Sequence, residues 1–221
     1  MMFVYLKYKN RRSSMSNHYY SKNPDVASQQ KKWQYTLKNH LFSFMSDNGV
    51  FSKNTVDFGS RLLVESFDVP EQLHCAPILD VGCGYGPIGL TYAKTYPTSM
   101  VEMVDVNERA IELAHLNAKQ NGISNVVIHQ SNVYETLEHN QYGVIVSNPP
   151  IRAGKQVVHA IIEESYPLLM QQGCLVIVIQ KKQGAPSAEK KMLEVFGNCE
   201  LIARDKGYWI LQSIKEENHE S

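Results

Sequence analysis

From residue 77 onward, hydrophobic and polar positions alternate between short β-branched runs and helical patterns, which is typical of a parallel βαβ sheet. Strands are predicted over 77–81, 100–105, 126–129, 142–147, 174–180, 199–204 and 207–214. Helices are predicted from Pro87, from the Asn107 cap to near Gly122, and over 155–171 and 185–196. Asp205-Lys206 joins the last two strands, which should form an antiparallel hairpin. The pattern predicts an α/β fold with a mostly parallel, seven-stranded sheet that contains one antiparallel strand.

The first 75 residues follow a different pattern. Strands at 33–38 and 41–46 around Asn39-His40 predict a hairpin, Asp47-Asn48-Gly49 predicts a turn, and 61–67 predicts a helix. Because no low-complexity linker follows, we expect 18–75 to be a small β/α appendage of the same domain as the 76–214 core. Residues 1–17 and 215–221 are expected to be a dispensable basic tail and a polar tail, with Met1, Met2 and Met15 as candidate starts.

Composition narrows the class of protein. The chain has 221 residues, of which 43% are hydrophobic and 20% charged, which argues against disordered and collagen-like classes. The longest hydrophobic runs, at 1–6 and 174–179, are far shorter than the roughly 20 residues of a membrane-spanning helix. The 22 basic and 22 acidic residues balance, so total charge alone gives no reason to expect a polyanionic partner.

The four cysteines, at 75, 83, 174 and 199, include no CxxC pair and no histidine at metal-ligand spacing. We therefore expect neither a metal site nor a disulfide framework. Single cysteines within apolar runs behave as small buried hydrophobes, which fits a reducing, cytoplasmic compartment.

A glycine-rich loop follows the first core strand. Four glycines lie within residues 82–89, and Asp105 ends the next strand 23 residues after Gly82. Glycine allows the backbone to turn sharply and to approach a bound nucleoside, and the acid can accept hydrogen bonds from ribose hydroxyls. Asp80, before the loop, would repel a pyrophosphate but could hold the ammonium group of an amino acid. The alternative is an ordinary glycine-rich turn beside a surface aspartate.

The segment LDVGCGYG at 79–86 resembles the first motif of class I S-adenosylmethionine-dependent methyltransferases. The resemblance implies a Rossmann-like fold with S-adenosylmethionine as cofactor, its methionyl part at Asp80 and the loop, and its ribose at Asp105. Where that family often has an acid for the adenine amino group, Asn132 offers a neutral acceptor. The expected cofactor-binding residues are Asp80, Gly82, Cys83, Gly84, Gly86, Asp105, Val106, Asn132, Val133 and Asn148.

Asn148-Pro149-Pro150 ends the fourth core strand. The prolines lack N–H donors and fix the backbone, so this is either a plain strand-terminating turn or a set of acceptors facing a cleft. An exocyclic amino group or amide is a poor nucleophile because its lone pair is delocalised. Hydrogen bonds from its protons to the Asn148 side-chain oxygen and the Pro149 carbonyl would localise that pair toward a sulfonium methyl. We therefore expect Asn148, Pro149 and Pro150 to be the catalytic residues.

These two motifs together resemble amino-methyltransferases of the adenine-N6, guanine-N2 and glutamine-amide types. Many of these place an aromatic residue after the prolines to stack on the target, whereas this chain has Ile151. Tyr19, Tyr20, Phe51 or Phe58 is a candidate replacement.

A closer resemblance rests on five segments: HYYS (18–21), DNGVFS (47–52), VDFGSRLL (56–63), NPPIRAGK (148–155) and QKKQGA (180–185). In combination they resemble the small-subunit ribosomal RNA guanine-N2 methyltransferase C family, more narrowly its single-domain members. Two-domain members carry a further domain ahead of the catalytic one, where this chain has only the short appendage. The expected substrate-binding residues are Phe51, Asp57, Gly59, Ser60, Ile151, Arg152, Lys155, Lys181 and Lys182. For the basic residues, the alternative is a solvated rim.

The leading hypothesis is methylation of guanine N2 in 16S ribosomal RNA, with ribosomal RNA or the small subunit as partner and no membrane or metal. A protein glutamine-amide or adenine-N6 methyltransferase would use the same Asn-Pro-Pro chemistry. A noncatalytic RNA-binding or assembly factor that keeps the fold is the third hypothesis, and it is motivated by Asn132 and Ile151.

Overall fold

The computed structural model describes residues 30–47, 55–149 and 154–216. Its strands are β1 (Lys31–Leu37), β2 (His40–Ser46), β3 (Ile78–Val81), β4 (Val101–Asp105), β5 (Val126–Gln130), β6 (Tyr142–Ser147), β7 (Leu169–Gln180), β8 (Glu200–Asp205) and β9 (Tyr208–Ile214). Its α-helices are α1 (Phe58–Ser66), α2 (Pro87–Thr95), α3 (Glu108–Gln120), α4 (Gly154–Leu168) and α5 (Ala185–Phe196). Within these residues, no helix combines the length and apolarity needed to cross a membrane.

Seven strands form one sheet in the order β5-β4-β3-β6-β7-β9-β8. β9 runs antiparallel to β7 and β8, whereas the remaining neighbours are parallel. The predicted fold class, including its one antiparallel strand, is therefore confirmed. β1 and β2 pair with each other in a separate hairpin.

The central strands are buried on both faces, so consecutive side chains enter two different cores. Ile78 of β3 packs in the core that also contains residues of α1, α2 and α3. Its neighbour Leu79 packs in the core formed with α4 and α5. The sheet is thus the middle of three layers, with the glycine loop and the Asn-Pro-Pro segment following central strands.

The predicted boundary between α4 and β7 is wrong. The helix predicted over 155–171 ends at Leu168, and β7 begins at Leu169, which pairs with Tyr142. The predicted strand begins only at Cys174, but β7 also includes the preceding Gly173, where its register with β6 shifts. An added Cβ at Gly173 would lie 2.8 Å from the Met170 carbonyl oxygen, so the bulge requires glycine.

Both predicted hairpins form, but their turns differ by one residue. Lys38-Asn39, with φ of 45° and 63°, connects β1 and β2, and Lys206-Gly207, with φ of 47° and 82°, connects β8 and β9. These left-handed pairs are typical of two-residue hairpin turns. The predicted turn at Asp47-Asn48-Gly49 falls mostly outside the described residues, as do most of the two predicted tails.

Asn117 of α3 joins the hairpin to the core. Its amide nitrogen donates to the carbonyl oxygens of Met45 at 3.0 Å and Tyr85 at 2.8 Å, and its oxygen accepts from the Met45 N–H at 2.7 Å. Tyr85 lies in the glycine loop, and its ring packs against those of Trp33 and Phe44. One buried side chain therefore links the hairpin and the loop to the same helix.

We expect Asn117→Ala to lower the free energy of unfolding by about 3 kcal/mol, because the fully buried Asn117 side chain hydrogen-bonds three backbone groups, two of Met45 and one of Tyr85. Urea denaturation measures the change. Asn140→Ala, at an exposed position, should change stability by less than about 0.5 kcal/mol. Equal small losses in both variants would contradict the linking role.

Candidate active site

The carboxyl ends of β3 and β6 form the centre of the candidate site. The chain crosses from β3 toward β4 and β5 on one side, and from β6 toward β7 on the other, so a crevice is expected between these strand ends. The fully buried Ser147 hydroxyl donates to the Val81 carbonyl oxygen at 2.7 Å. This bond holds Asn148, which follows β6, beside the glycine loop that follows β3.

The backbone of the glycine loop is fixed against β4 while part of it faces open space. The N–H groups of Gly82 and Cys83 donate to the Val104 carbonyl oxygen at 2.8 and 3.0 Å. Gly82 and Gly84 have φ of 75° and 58°, and a Cβ added at either would contact nothing within 4 Å. The loop therefore borders a space into which a ligand can approach the main chain.

The other two glycines of the loop serve packing. A Cβ at Gly86 would lie 2.9 Å from a methyl carbon of Leu90, and one at Gly89 would lie 2.7 Å from the Met103 side chain. Larger residues at these positions would push α2 away from β4. These two glycines allow α2 to pack closely against β4 beneath the open part of the loop.

Asp105 lies at the end of β4 with its carboxylate fixed in place. One oxygen accepts from the Gly84 N–H at 2.9 Å and the other from the Asn107 N–H at 2.8 Å. Burial raises the pKa of Asp105 above its usual range, and these backbone hydrogen bonds oppose that rise. The carboxylate remains half-buried and can accept further hydrogen bonds from a ligand.

Asp80 on β3 is fully buried. One carboxylate oxygen accepts from the Gly89 N–H at 2.8 Å, and the other has no hydrogen-bond partner among the described residues. Burial raises the pKa of Asp80, and the hydrogen bond from Gly89 offsets only part of this rise, so that the pKa is about 7. A buried acceptor without a partner is costly, so the site suits a ligand that brings a donor or a positive charge.

The residues after β5 form a tight turn. The exposed Asn132 amide donates to Glu135 at 3.0 Å, and Val133 has φ of 53°, which is rare for a β-branched residue. The Ser131 hydroxyl donates to the Val133 carbonyl oxygen and accepts from the Thr136 N–H. This turn lies beside Asp105, whose carbonyl oxygen accepts from the Ser131 N–H.

Two further residues expected at the cofactor differ in environment. Cys83 is buried, and burial raises the pKa of its thiol well above the usual range, so it behaves as a small apolar residue. Val106 is half-buried, and its carbonyl oxygen accepts from the Gln130 amide at 2.8 Å.

Helix α1 fixes the orientation of the Asn148 amide. The Asn148 nitrogen donates to the Asp57 carboxylate at 3.1 Å and to the Ser60 hydroxyl at 2.9 Å. Because a carboxylate oxygen accepts and cannot donate, the nitrogen must be the atom that faces Asp57. Both amide protons are thus occupied, and the amide oxygen points elsewhere with no donor to it among the described residues.

Asp57 is also the N-cap of α1, and this role fixes its carboxylate where it accepts from the Asn148 amide. The same oxygen accepts from the Ser60 N–H at 3.1 Å, so the helix begins at Phe58, three residues before the predicted start. Gly59 allows a close approach, since an added Cβ would lie 3.0 Å from the Tyr208 ring. The sequence indicated that Asp57 and Ser60 belong to the site, but their contact with Asn148 had no sequence signal.

The remaining predicted residues divide into two groups. Pro149 lies at the site beside Asn148, and Lys155, Lys181 and Lys182 are exposed, as a basic rim requires. Outside the described residues lie Phe51, Pro150, Ile151 and Arg152. Among the described residues, no group of three or more His, Cys, Asp or Glu side chains could hold a metal ion.

The methyltransferase small domain family matches residues 41–212. The chain belongs to this family. The match covers both the glycine loop and Asn148, and it confirms the family, the fold and the cofactor class expected from the sequence.

Among similar proteins, YbxB from Bacillus subtilis, described as uncharacterized, is 53% identical over 91% of this chain and all of its own length. Ribosomal RNA small subunit methyltransferase C from Aliivibrio fischeri is 31% identical over 84% of this chain, and ribosomal RNA large subunit methyltransferase G from Psychromonas ingrahamii is 25% identical over 84%. The chain spans only 53% and 47% of those two proteins.

The solved structure of the T. thermophilus 16S rRNA N2 methyltransferase RsmC, in complex with AdoMet and guanosine, aligns with a TM-score of 0.75. The alignment covers 87% of this chain and 52% of that one, at 24% identity. At this identity the likeness establishes the shared fold.

Burial of Asp80 predicts a dependence of stability on pH. Between pH 4 and 7 the unfolded carboxyl ionises while the folded one stays protonated, so stability falls as pH rises and levels off above the folded pKa. Asp80→Asn keeps an acceptor for Gly89 but cannot ionise. From pH 4 to pH 7, its free energy of unfolding should therefore rise relative to that of the wild type by about 4 kcal/mol. Urea denaturation of the protein without cofactor tests this. A stability difference between Asp80→Asn and the wild type that does not change with pH would contradict this prediction.

Proposed function

We propose that the protein transfers a methyl group from S-adenosylmethionine to the exocyclic N2 amino group of guanine in 16S ribosomal RNA. The observation that carries this proposal is the fixed Asn148 amide. Its nitrogen is held by Asp57 and Ser60, which leaves its oxygen as an acceptor beside the glycine loop.

The described residues fit the cofactor. The open main chain at Gly82 and Gly84 would border its methionyl part, and the half-buried Asp105 carboxylate would accept from the ribose hydroxyls. The ammonium group would supply the charge partner that the buried Asp80 oxygen lacks. S-adenosylmethionine, when bound, supplies an electrophilic methyl group on a sulfonium.

Asn148 and Pro149 would prepare the nucleophile. One proton of the target amino group would be donated to the Asn148 oxygen and the other to the Pro149 carbonyl oxygen. These bonds localise the nitrogen lone pair and direct it along the line of displacement. Orientation of this kind can lower the activation free energy by roughly 7–11 kcal/mol. The reaction then needs no strong general base.

The choice of ribosomal RNA rests on the relatives. Two curated relatives are named as ribosomal RNA methyltransferases, although this chain spans about half their length. The Asn148 geometry serves any planar amino group, including adenine N6 and a glutamine amide. These alternatives are therefore separated by experiment.

The test is to incubate the protein and labelled S-adenosylmethionine with small ribosomal subunits from a strain that lacks its gene. Digestion to nucleosides should place the label in N2-methylguanosine. Label in N6-methyladenosine, or label removed by protease and not by nuclease, would contradict the proposed target. Cofactor binding without any transfer would favour a noncatalytic assembly factor.

Asn148→Ala should slow methyl transfer by at least about 100-fold while the cofactor dissociation constant, measured by calorimetry, changes little. The reason is that the variant loses the acceptor for the reacting amino group but none of the loop or Asp105 contacts. A rate close to that of the wild type would overturn the proposed chemistry.

Ser60→Ala should lower kcat roughly threefold to tenfold, because Asn148 then keeps one of its two orienting hydrogen bonds. KM for the cofactor should remain unchanged, and Ser60→Thr should restore part of the rate. The matched control in the same helix is Ser66→Ala, which should leave kcat unchanged. If the two alanine variants behave alike, Ser60 does not position the amide.

A further inference from the structure

A half-buried aromatic ring at the start of α1 holds two cations. The Arg61 guanidinium carbon lies 5.0 Å from the Phe58 ring centroid, and the Lys206 ammonium nitrogen lies 4.8 Å from it. The Tyr208 ring packs against Phe58 with a centroid separation of 5.4 Å. Phe58 therefore joins helix α1 to the turn between β8 and β9.

The two cations are held close together without a carboxylate partner. Both contact one ring, so they lie less than 10 Å apart, and neither forms an ion pair within the described part of the chain. Among the described residues, the Arg61 guanidinium donates to the Tyr35 hydroxyl, at 3.1 Å. The ring offsets part of the repulsion between the cations, and an anionic ligand would offset the rest.

Lys206 occupies a position that its own turn disfavours. It has φ of 47° and precedes Gly207 at 82°, and the first position of such a turn favours asparagine or glycine. The Gly207 carbonyl oxygen accepts from the Lys181 N–H at 2.7 Å, which places the turn beside the exposed Lys181-Lys182 pair. A lysine at this turn position is better explained by its charge than by its backbone preference.

We propose that Phe58, Arg61 and Lys206 form a phosphate clamp for the RNA strand next to the target nucleotide, an inference that rests on the proposed function. Phe58 directly follows Asp57, which holds Asn148, so the clamp lies at the edge of the reaction site. Guanidinium and ammonium groups donate well to a phosphodiester, and such contacts fix the register of a strand. Phe58 sets the position of both cations before RNA arrives.

The test compares variants by the dependence of RNA affinity on salt. Binding of a fluorescein-labelled single-stranded RNA is followed by anisotropy over a series of KCl concentrations. Lys206→Asn should reduce the slope of log K against log [KCl] by about 0.7, the value for one phosphate contact on a single strand. Because asparagine suits the turn, its melting temperature should equal or exceed that of the wild type.

Lys94→Gln is the matched control, because the Lys94 ammonium lies 5.0 Å from the Phe42 ring centroid in another part of the molecule. Its slope should equal that of the wild type, and Lys206→Arg should preserve the slope. A wild-type slope for Lys206→Asn would overturn the clamp, as would an equal loss in Lys94→Gln. Tighter binding of a polyglutamate peptide than of RNA would also overturn it.

The clamp and the proposed function fail in different assays. If the wild type methylates ribosomal RNA while Lys206→Asn keeps the wild-type slope, the clamp is wrong and the function stands. If no methyl transfer to RNA occurs in the wild type, the proposed function fails, whatever the slopes are.

Discussion

The hydrogen bond from Ser147 to the Val81 carbonyl oxygen fixes the relative position of the two strand ends on which the site depends. β3 leads into the glycine loop and β6 leads into Asn148, so any slip between these strands would separate the loop from the amide. The bond is fully buried, where competition from water is absent. This bond and the pairing of β3 with β6 therefore fix the two strand ends that border the expected crevice.

The segment before the core completes the site as well as packing against it. Asp57 and Ser60 of α1 determine which atom of Asn148 faces the crevice, and Asn117 connects the β2 backbone to Tyr85 in the glycine loop. A Rossmann-like core without this segment would keep Asn148 but lose the constraint on its amide. Under the proposed function, the extra elements contribute orientation, which can supply much of the acceleration of a methyl displacement.

Local signals in the sequence predicted most of the fold. The Asn107 cap and Pro87 gave the correct starts of α3 and α2, because caps and N-terminal prolines act within one turn. The bulge at Gly173 was missed, since glycine marks a helix end and a bulge alike. The contact between Asn148 and Asp57 spans 91 positions of sequence, so only the tertiary structure reveals it.

Balanced total charge is compatible with the proposed RNA binding, because that binding would depend on individual cations that form no ion pair among the described residues. The described ion pairs lie at other places, such as Lys191 with Glu163 and Lys38 with Asp68, while the cations around Phe58 have none. A small cluster of this kind makes few phosphate contacts, so its affinity for naked RNA should be weak and sensitive to salt. Under the proposed function, discrimination would then come from the shape of the RNA that presents the target base, which favours a folded ribosomal surface over a free strand.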